Sequence, residues 1–307
     1  MISTSSAFLI GPTASGKSAL ALAVCERFGA EILSLDSMQV YRRMDIGTAK
    51  PGTDVRRRVP HHLIDLVEPS ERYDVQSYLA DFRAAEADCA ARGVRALVVG
   101  GTGLYLQACL RGLFDGPPPD PELRERLKER ARAEGTEALH ASLAAVDPAG
   151  AERIHPRDEK RVVRALEVWQ QTRRPISAWQ EQWSAARGES APIVGLSLPV
   201  PALDRRIRAR TRAMLAAGWV EEARAIRSSP GFGPTASQAL GYREALALGD
   251  GECTAAEAEE RIHLRTRQLA RRQRTWFRRF EASWLDSGEA DPEASGPERV
   301  GALLGWS

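Results

Sequence analysis

Ala7 to Ile10 is a short apolar run that stops at a glycine, and a helical pattern follows from Lys17 to Phe28, closed by Gly29 at the C′ position. Glu31 to Leu35 and Arg95 to Val99 repeat the short apolar signature, with helical spacing from Val75 to Arg92 between them. Brief, continuously apolar strands that alternate with helices predict a parallel sheet with crossover helices, because strands covered on both faces lose the in/out alternation.

The character changes at Asp115-Gly-Pro-Pro-Pro-Asp-Pro121, where four prolines in five positions can continue neither a helix nor a central strand. From Glu122 to about Arg187 the pattern is charged and helical, with Leu123, Leu127 and Ala131 on one side of an early segment and Val162, Leu166 and Trp169 on one side of a later one. Ile193 to Leu198 is short and apolar again, which predicts a return to the sheet. Helical segments then run on, interrupted by a candidate last strand at Ser283 to Leu285. The expected organisation is an α/β core from residues 1–116 and 193–307, with C-terminal helices packed on it and a helical insertion at 117–192.

Composition adds mainly exclusions. With 307 residues, 43% of them hydrophobic, the chain can bury a full core. Its net charge of +2, from 43 basic and 41 acidic residues, is too balanced to announce a nucleic-acid partner, so such a claim must rest on where charges cluster. Cys25, Cys89, Cys109 and Cys253 are widely spaced, form no C-x-x-C pair and read as apolar packing residues in a reducing compartment. No basic leader precedes a long apolar run, and nothing approaches the roughly 18 apolar residues of a membrane span. A cytoplasmic protein without membrane contact, acting as a monomer, is the expectation.

Candidate chemistry starts at the loop after the first strand. Gly11, Pro12, Thr13, Ala14, Ser15, Gly16, Lys17 and Ser18 match G-x-x-x-x-G-K-[ST] between a strand and a helix, where a nucleotide- or ATP-binding phosphate loop must lie. Its glycines let backbone N–H groups converge on phosphate oxygens at a helix N-terminus. Lys17 adds a point charge, and the Ser18 hydroxyl suits Mg²⁺. The core is therefore expected to be a P-loop NTPase-like α/β sheet. Such a loop identifies the group held and not the reaction, so kinases, NTPases and group transferases all remain open.

The decisive residues are Ser34-Leu-Asp-Ser-Met-Gln-Val-Tyr-Arg-Arg-Met-Asp-Ile-Gly-Thr-Ala-Lys-Pro51, read with the phosphate loop. His62-Leu-Ile-Asp65, Gly100-Gly-Thr-Gly-Leu-Tyr105, His155-Pro with Arg161 and Arg164-Ala-Leu-Glu-Val168, Leu240-Gly-Tyr-Arg243 and Thr266-Arg-Gln-Leu-Ala-Arg-Arg-Gln-Arg-Thr-Trp276 follow in order. Over nearly its whole length the chain resembles the tRNA dimethylallyltransferases. The resemblance implies transfer of a dimethylallyl group from dimethylallyl diphosphate to N6 of the adenosine immediately 3′ of the anticodon, with Mg²⁺ as cofactor and the anticodon stem-loop of tRNA as partner.

Asp36 ends the second predicted strand, on the edge where ligands of open α/β sheets bind. By itself it could be a base or a Mg²⁺- or water-positioning acid; the resemblance implies the base that takes a proton from the adenine amine. The glycines around Thr102 suit either a tight turn or close approach of backbone to a ligand. The resemblance gives the Thr102 hydroxyl the diphosphate leaving oxygen, where negative charge grows. Arg206 and Arg210 lie one helical turn apart, and Arg210 matches an arginine that binds the prenyl diphosphate, a task suited to a guanidinium fork. Lys17 completes the implied catalytic set.

Eight arginines and no acid lie between Arg261 and Arg279, while Leu269, Trp276 and Phe280 form an apolar stripe at helical spacing. That predicts a core-facing helix with a basic outer face, including Arg271 and Arg274. Lys160, Arg161 and Arg164 form a second basic cluster, expected on another wall of the same crevice, and two basic walls suit an RNA stem and loop. The resemblance adds Asp36, Ser37, Met38, Gln39, Thr102, Arg124, Gln238, Gly241, Tyr242 and Arg243 as tRNA contacts. Departures from the family pattern are small: Ser18 for threonine, Arg43 where glycine is common, and Lys160 for a glutamine beside Arg161. His61 and His62 lack carboxylate or cysteine partners at ligand spacing and read as structural. The rivals are a small-molecule P-loop kinase, an adenylate prenyltransferase and a non-catalytic RNA-binding switch.

Overall fold

The computed structural model describes residues 6–113, 116–179, 191–286 and 296–306. Asp115, at the start of the proline-rich run, and the end of the helical pattern from 180 to Arg187 lie outside them. The chain divides into two compact units, residues 1–110 with 189–307 and residues 111–188.

The elements are β1 (Ser6–Ile10), α1 (Lys17–Phe28), β2 (Ala30–Leu35), α2 (Thr53–Arg58), β3 (His61–His62), α3 (Val75–Ala91), β4 (Arg95–Gly100) and α4 (Gly103–Arg111). The second unit contributes α5 (Pro121–Glu134), α6 (Thr136–Val146), α7 (Pro148–Arg153) and α8 (Glu159–Thr172). The chain then runs through β5 (Ile193–Ser197), α9 (Val200–Ala216), α10 (Trp219–Ser228), α11 (Tyr242–Gly249), α12 (Ala255–Phe277), β6 (Ser283–Asp286) and α13 (Gly296–Leu304).

The strands form one six-stranded sheet in the order β3-β2-β4-β1-β5-β6, and every pairing is parallel. Every residue of β1 and β2 is buried, which is why these strands read as continuous apolar runs. Leu20, Ala21 and Val24 of α1 and Val300 and Leu304 of α13 pack with Leu9, Leu97, Val194 and Leu196 of the sheet. On α3, Tyr78, Leu79 and Phe82 are buried, and the Tyr78 hydroxyl donates to Ser34 O at 3.0 Å. Gly29 closes α1 at φ 64°, the left-handed cap expected from its position.

Register positions the site. Ile10 of β1 and Leu35 of β2 both pair with Gly100 of β4, so three parallel strands end at one level. The residues after those ends are Gly11, Asp36 and Gly101-Thr102. Parallel strands place all their following loops on one edge, so the phosphate loop, the carboxylate and the hydroxyl emerge side by side.

In the second unit, Leu123, Leu127 and Ala131 of α5 pack with Leu139, Leu143, Val162, Leu166 and Val168, the predicted apolar faces, and Trp169 is partly buried. Glu167 is fully buried. One of its carboxylate oxygens accepts from Arg124 and Arg164, both at 2.7 Å, and the other from Asp120 N–H at 2.8 Å. Replacing Glu167 with Ala leaves two arginines, 27% and 26% exposed, facing a buried void. A loss of about 3 kcal/mol is expected by denaturant titration, the low end for a broken buried pair because both arginines retain some water.

Candidate active site

The phosphate loop is shaped by its backbone. Ala14 and Gly16 have φ of 63° and 94°, and a Cβ on Gly11 would come 3.0 Å from Leu196 O, so glycine lets the loop lie against β5. Ser15 is fully buried and its hydroxyl has no protein partner among the described residues. Lys17 and Ser18 open α1, with Ser18 exposed. The Lys17 ammonium donates to Pro12 O at 3.2 Å. Burial pushes its pKa down to about 8, the Arg210 charge adds to that, and Asp36 opposes it.

Arg210, on α9, reaches the same loop and donates to Thr13 Oγ1 at 2.5 Å, while Arg206 donates to Ser15 O at 3.3 Å. Burial lowers the Arg210 pKa, and Asp36 again opposes the shift. Two cations and one carboxylate thus share a partly desolvated space. Asp36 Oδ1 accepts from Met38 N–H at 2.8 Å and Gln39 N–H at 3.3 Å, and Oδ2 accepts no hydrogen bond among the described residues. The carboxylate is therefore oriented with one oxygen available for an incoming N–H. Thr102 Oγ1 accepts from Ser37 N–H at 3.2 Å, which leaves its hydroxyl hydrogen to be donated elsewhere.

The glycines beside Thr102 do not adopt left-handed backbone. Hypothetical Cβ atoms would meet Leu35 O at 2.2 Å from Gly100, Gln273 Nε2 at 2.3 Å from Gly101 and Trp276 Cδ1 at 2.1 Å from Gly103. They seat β2 and α12. The buried face of α12 also differs from the expected Leu269, Trp276 and Phe280 stripe. It runs through Ile262, Thr266, Ala270 and Phe277, with Leu269 and Trp276 half-buried and Phe280 beyond the helix end.

Several expected RNA contacts are occupied internally. Tyr242 is 2% exposed, and its hydroxyl donates to Glu222 at 2.7 Å. Glu222 also accepts the N–H groups of Asp45, Ile46 and Gly47. Gly241, at φ 93°, is packed so that a Cβ would lie 2.1 Å from Trp219. Both residues therefore support the loop after Asp36. The Gln39 side chain accepts from Ser34 Oγ and donates to Thr48 O, at 2.9 and 3.2 Å, so it too braces that loop. Arg124 and Arg164, both partly buried, pair with Glu167. Lys160, Arg161, Gln238, Arg243 and Arg271 are exposed, whereas Ser37, Met38 and Arg274 are half-buried. On α12, Arg265 pairs with Glu244 and Arg267 with Asp204. Arg43, where family members commonly carry glycine, has φ 64°, which explains that preference.

A second cluster escaped the sequence because its members are far apart along the chain. Glu31, His62 and Cys89 place ligand atoms within 4.8 Å of one another, a group that could hold a metal ion. His62 Nε2 lies 2.7 Å from Glu31 Oε2, which corrects the expectation that it lacks such partners. Arg92 grips both Glu31 oxygens at 2.7 Å and holds that carboxyl down to about 2. Burial, first, and then Glu31 push the Cys89 thiol up to about 11. The cation this cluster needs is already supplied by Arg92, so it works as an ion-paired anchor between β2, β3 and α3.

Among the described residues no helix is long and apolar enough to cross a membrane. Residues 39–280 match the model of the IPP transferase family, and residues 5–58 that of isopentenyl transferase. The tRNA dimethylallyltransferase of Geobacter metallireducens is 48% identical over 90% of both chains, and that of Geobacillus kaustophilus 43% identical over 96% of this chain and 94% of its own. Among solved structures, the tRNA isopentenylpyrophosphate transferase of Bacillus halodurans superposes with a TM-score of 0.70 at 32% identity, over 98% of this chain and 97% of its own. A eukaryotic dimethylallyltransferase acting on tRNA gives 0.81 at 27% identity, over 97% and 78%. Sequence match, parallel P-loop-like sheet and strand-end constellation agree, and the chain belongs to the IPP transferase family.

Proposed function

We propose that this enzyme transfers a dimethylallyl group from dimethylallyl diphosphate to N6 of the adenosine immediately 3′ of the anticodon in tRNA. The observation that carries this reading is the arrival of the phosphate loop, Asp36 and Thr102 at one sheet edge, with Arg210 on the loop. As the amine nitrogen attacks the allylic carbon, the carbon–oxygen bond to diphosphate breaks, the bonding pair leaves with the diphosphate, and an amine proton passes to Asp36. Lys17, Arg210 and the Thr102 hydroxyl stabilise the charge that grows on the leaving oxygens. Substrate positioning and electrostatics carry the reaction.

The donor set of the loop fits Mg²⁺. Ser18 offers an exposed hydroxyl at the first turn of α1, a hard oxygen ligand of the kind a mostly hydrated magnesium accepts. Bound there beside the diphosphate, magnesium would neutralise part of the leaving-group charge. The exposed Lys160 and Arg161, and Arg271 and Arg274 of α12, are the candidate phosphate contacts of the RNA.

The test is prenylation of an anticodon stem-loop, read by mass spectrometry of its nucleosides, against AMP as competitor substrate. Equal turnover of AMP and the stem-loop would return the adenylate prenyltransferase to first place. Binding should also weaken linearly in log salt, each phosphate contact adding about −0.7 to −0.9 to the slope. Arg274→Gln should flatten that slope by about one unit or slightly less, with folding unchanged. A wild-type slope near zero would exclude the tRNA substrate.

A further inference from the structure

Gln273, partly buried, lies three residues after Ala270 and four before Phe277 of the buried stripe of α12, a spacing at which the pattern calls for an apolar side chain. Both ends of its amide are engaged. Oε1 accepts from Thr13 N–H in the phosphate loop at 2.8 Å, and Nε2 donates to Gly101 O at 3.0 Å. A backbone N–H can only donate and a carbonyl can only accept, so one amide orientation alone satisfies both. No other proteinogenic side chain of this reach supplies an acceptor and a donor in that arrangement.

The connections continue on both sides. Thr13 Oγ1 takes the Arg210 hydrogen bond. Gly101 N–H and Thr102 N–H both donate to Leu35 O, at 3.3 and 3.2 Å, and Thr102 Oγ1 receives Ser37 N–H. Arg210, the phosphate loop, Gln273, Thr102 and the turn carrying Asp36 therefore form one continuous chain of hydrogen bonds. Gly101 admits the amide, since a Cβ there would lie 2.3 Å from Nε2.

We propose that Gln273 is a positioning residue for group transfer, fixing the spacing between the diphosphate loop and the Thr102–Asp36 edge. This rests on the function proposed above. It acts through the two loops it joins. Because alignment of reacting groups is steeply distance-dependent, with about 1 Å of misplacement able to cost on the order of 10²-fold, loss of the clamp should fall on the chemical step.

The experiment compares wild type, Gln273→Met and Gln273→Glu in single-turnover prenylation of a stem-loop at saturating donor, alongside stem-loop affinity and thermal melting. Methionine fills the same volume without either hydrogen bond; glutamate keeps the acceptor toward Thr13 and loses the donor toward Gly101. The expected result is a single-turnover rate at least about tenfold lower for Gln273→Met, with stem-loop affinity within about twofold and a smaller deficit for glutamate than for methionine. A purely structural role would instead lower the melting temperature and weaken stem-loop affinity in proportion to rate, and that pattern overturns the proposal. A Gln273→Met rate within about twofold of wild type overturns it as well. If the methionine variant does not fold, Gln273→Glu carries the same criteria. A wild type that prenylates no stem-loop removes the functional reading and this inference with it; an active wild type matched by the variants removes the inference alone.

Discussion

Asp36→Ala should lower single-turnover prenylation by roughly 10²–10⁴-fold, the range for a lost general base, while stem-loop affinity stays nearly unchanged. The carboxylate is held by two backbone N–H groups on Oδ1, so it is already oriented, and alanine removes both the proton acceptor and the two hydrogen bonds that hold the turn. Asp36→Asn separates orientation from basicity. The amide oxygen can still accept from Met38 and Gln39, so the loop keeps its turn, but the side chain can no longer take up a proton. Asparagine should therefore be nearly as slow as alanine. Near-normal single-turnover rates for either variant at saturating substrates would show that Asp36 is not the base.

Lys17→Ala should cost roughly 10²–10³-fold in kcat/KM for the donor, the magnitude of losing one charge-stabilising contact at a breaking bond. Its stem-loop affinity should be close to wild type, because the lysine faces the phosphate loop and Asp36. A pH signature accompanies this. The pKa near 8 belongs to the ligand-free site, where burial and Arg210 both disfavour the ammonium. A diphosphate brings negative charge beside it and raises that pKa, so the bound complex holds a proton that the free enzyme sheds above pH 8. Donor affinity is thus insensitive to this group below about pH 8. It should weaken as pH rises above that, by up to about tenfold per unit until the pKa of the bound state is reached. Calorimetry in buffers of different ionisation enthalpy at pH 8.5–9 should show proton uptake in wild type and none from this source in Lys17→Ala. An alanine variant that binds donor normally but loses the stem-loop would overturn the phosphate-loop assignment.

The two variants remove opposite charges from one site, and their effects should not add simply. Lys17, Arg210 and Asp36 perturb one another electrostatically, so removing one changes the charge that the others meet.

The amino-acid sequence by itself determined the α/β character, the phosphate loop and the strand-end position of Asp36 and Thr102. These are local facts: apolar runs of strand length, a glycine-rich loop between strand and helix, and residues immediately following a strand. The last strand, at Ser283–Asp286, was legible for the same reason. Only the tertiary structure decided what those residues touch. The two-residue β3 is too short to leave a periodic signal, and it is recognisable only by its pairing with Ile32 and Leu33. Glu31, His62 and Cys89 meet because β2, β3 and α3 are adjacent in space, which residue spacing cannot reveal. The pairing of Arg124 and Arg164 with Glu167 was likewise invisible in sequence, because it depends on a carboxylate that packing buries beside them. On α12 the partly buried Gln273, a polar residue that apolar periodicity must overlook, lies beside the buried face and satisfies two backbone groups from distant loops. Periodicity reports which residues prefer water; partner geometry decides which polar residues can be buried without it.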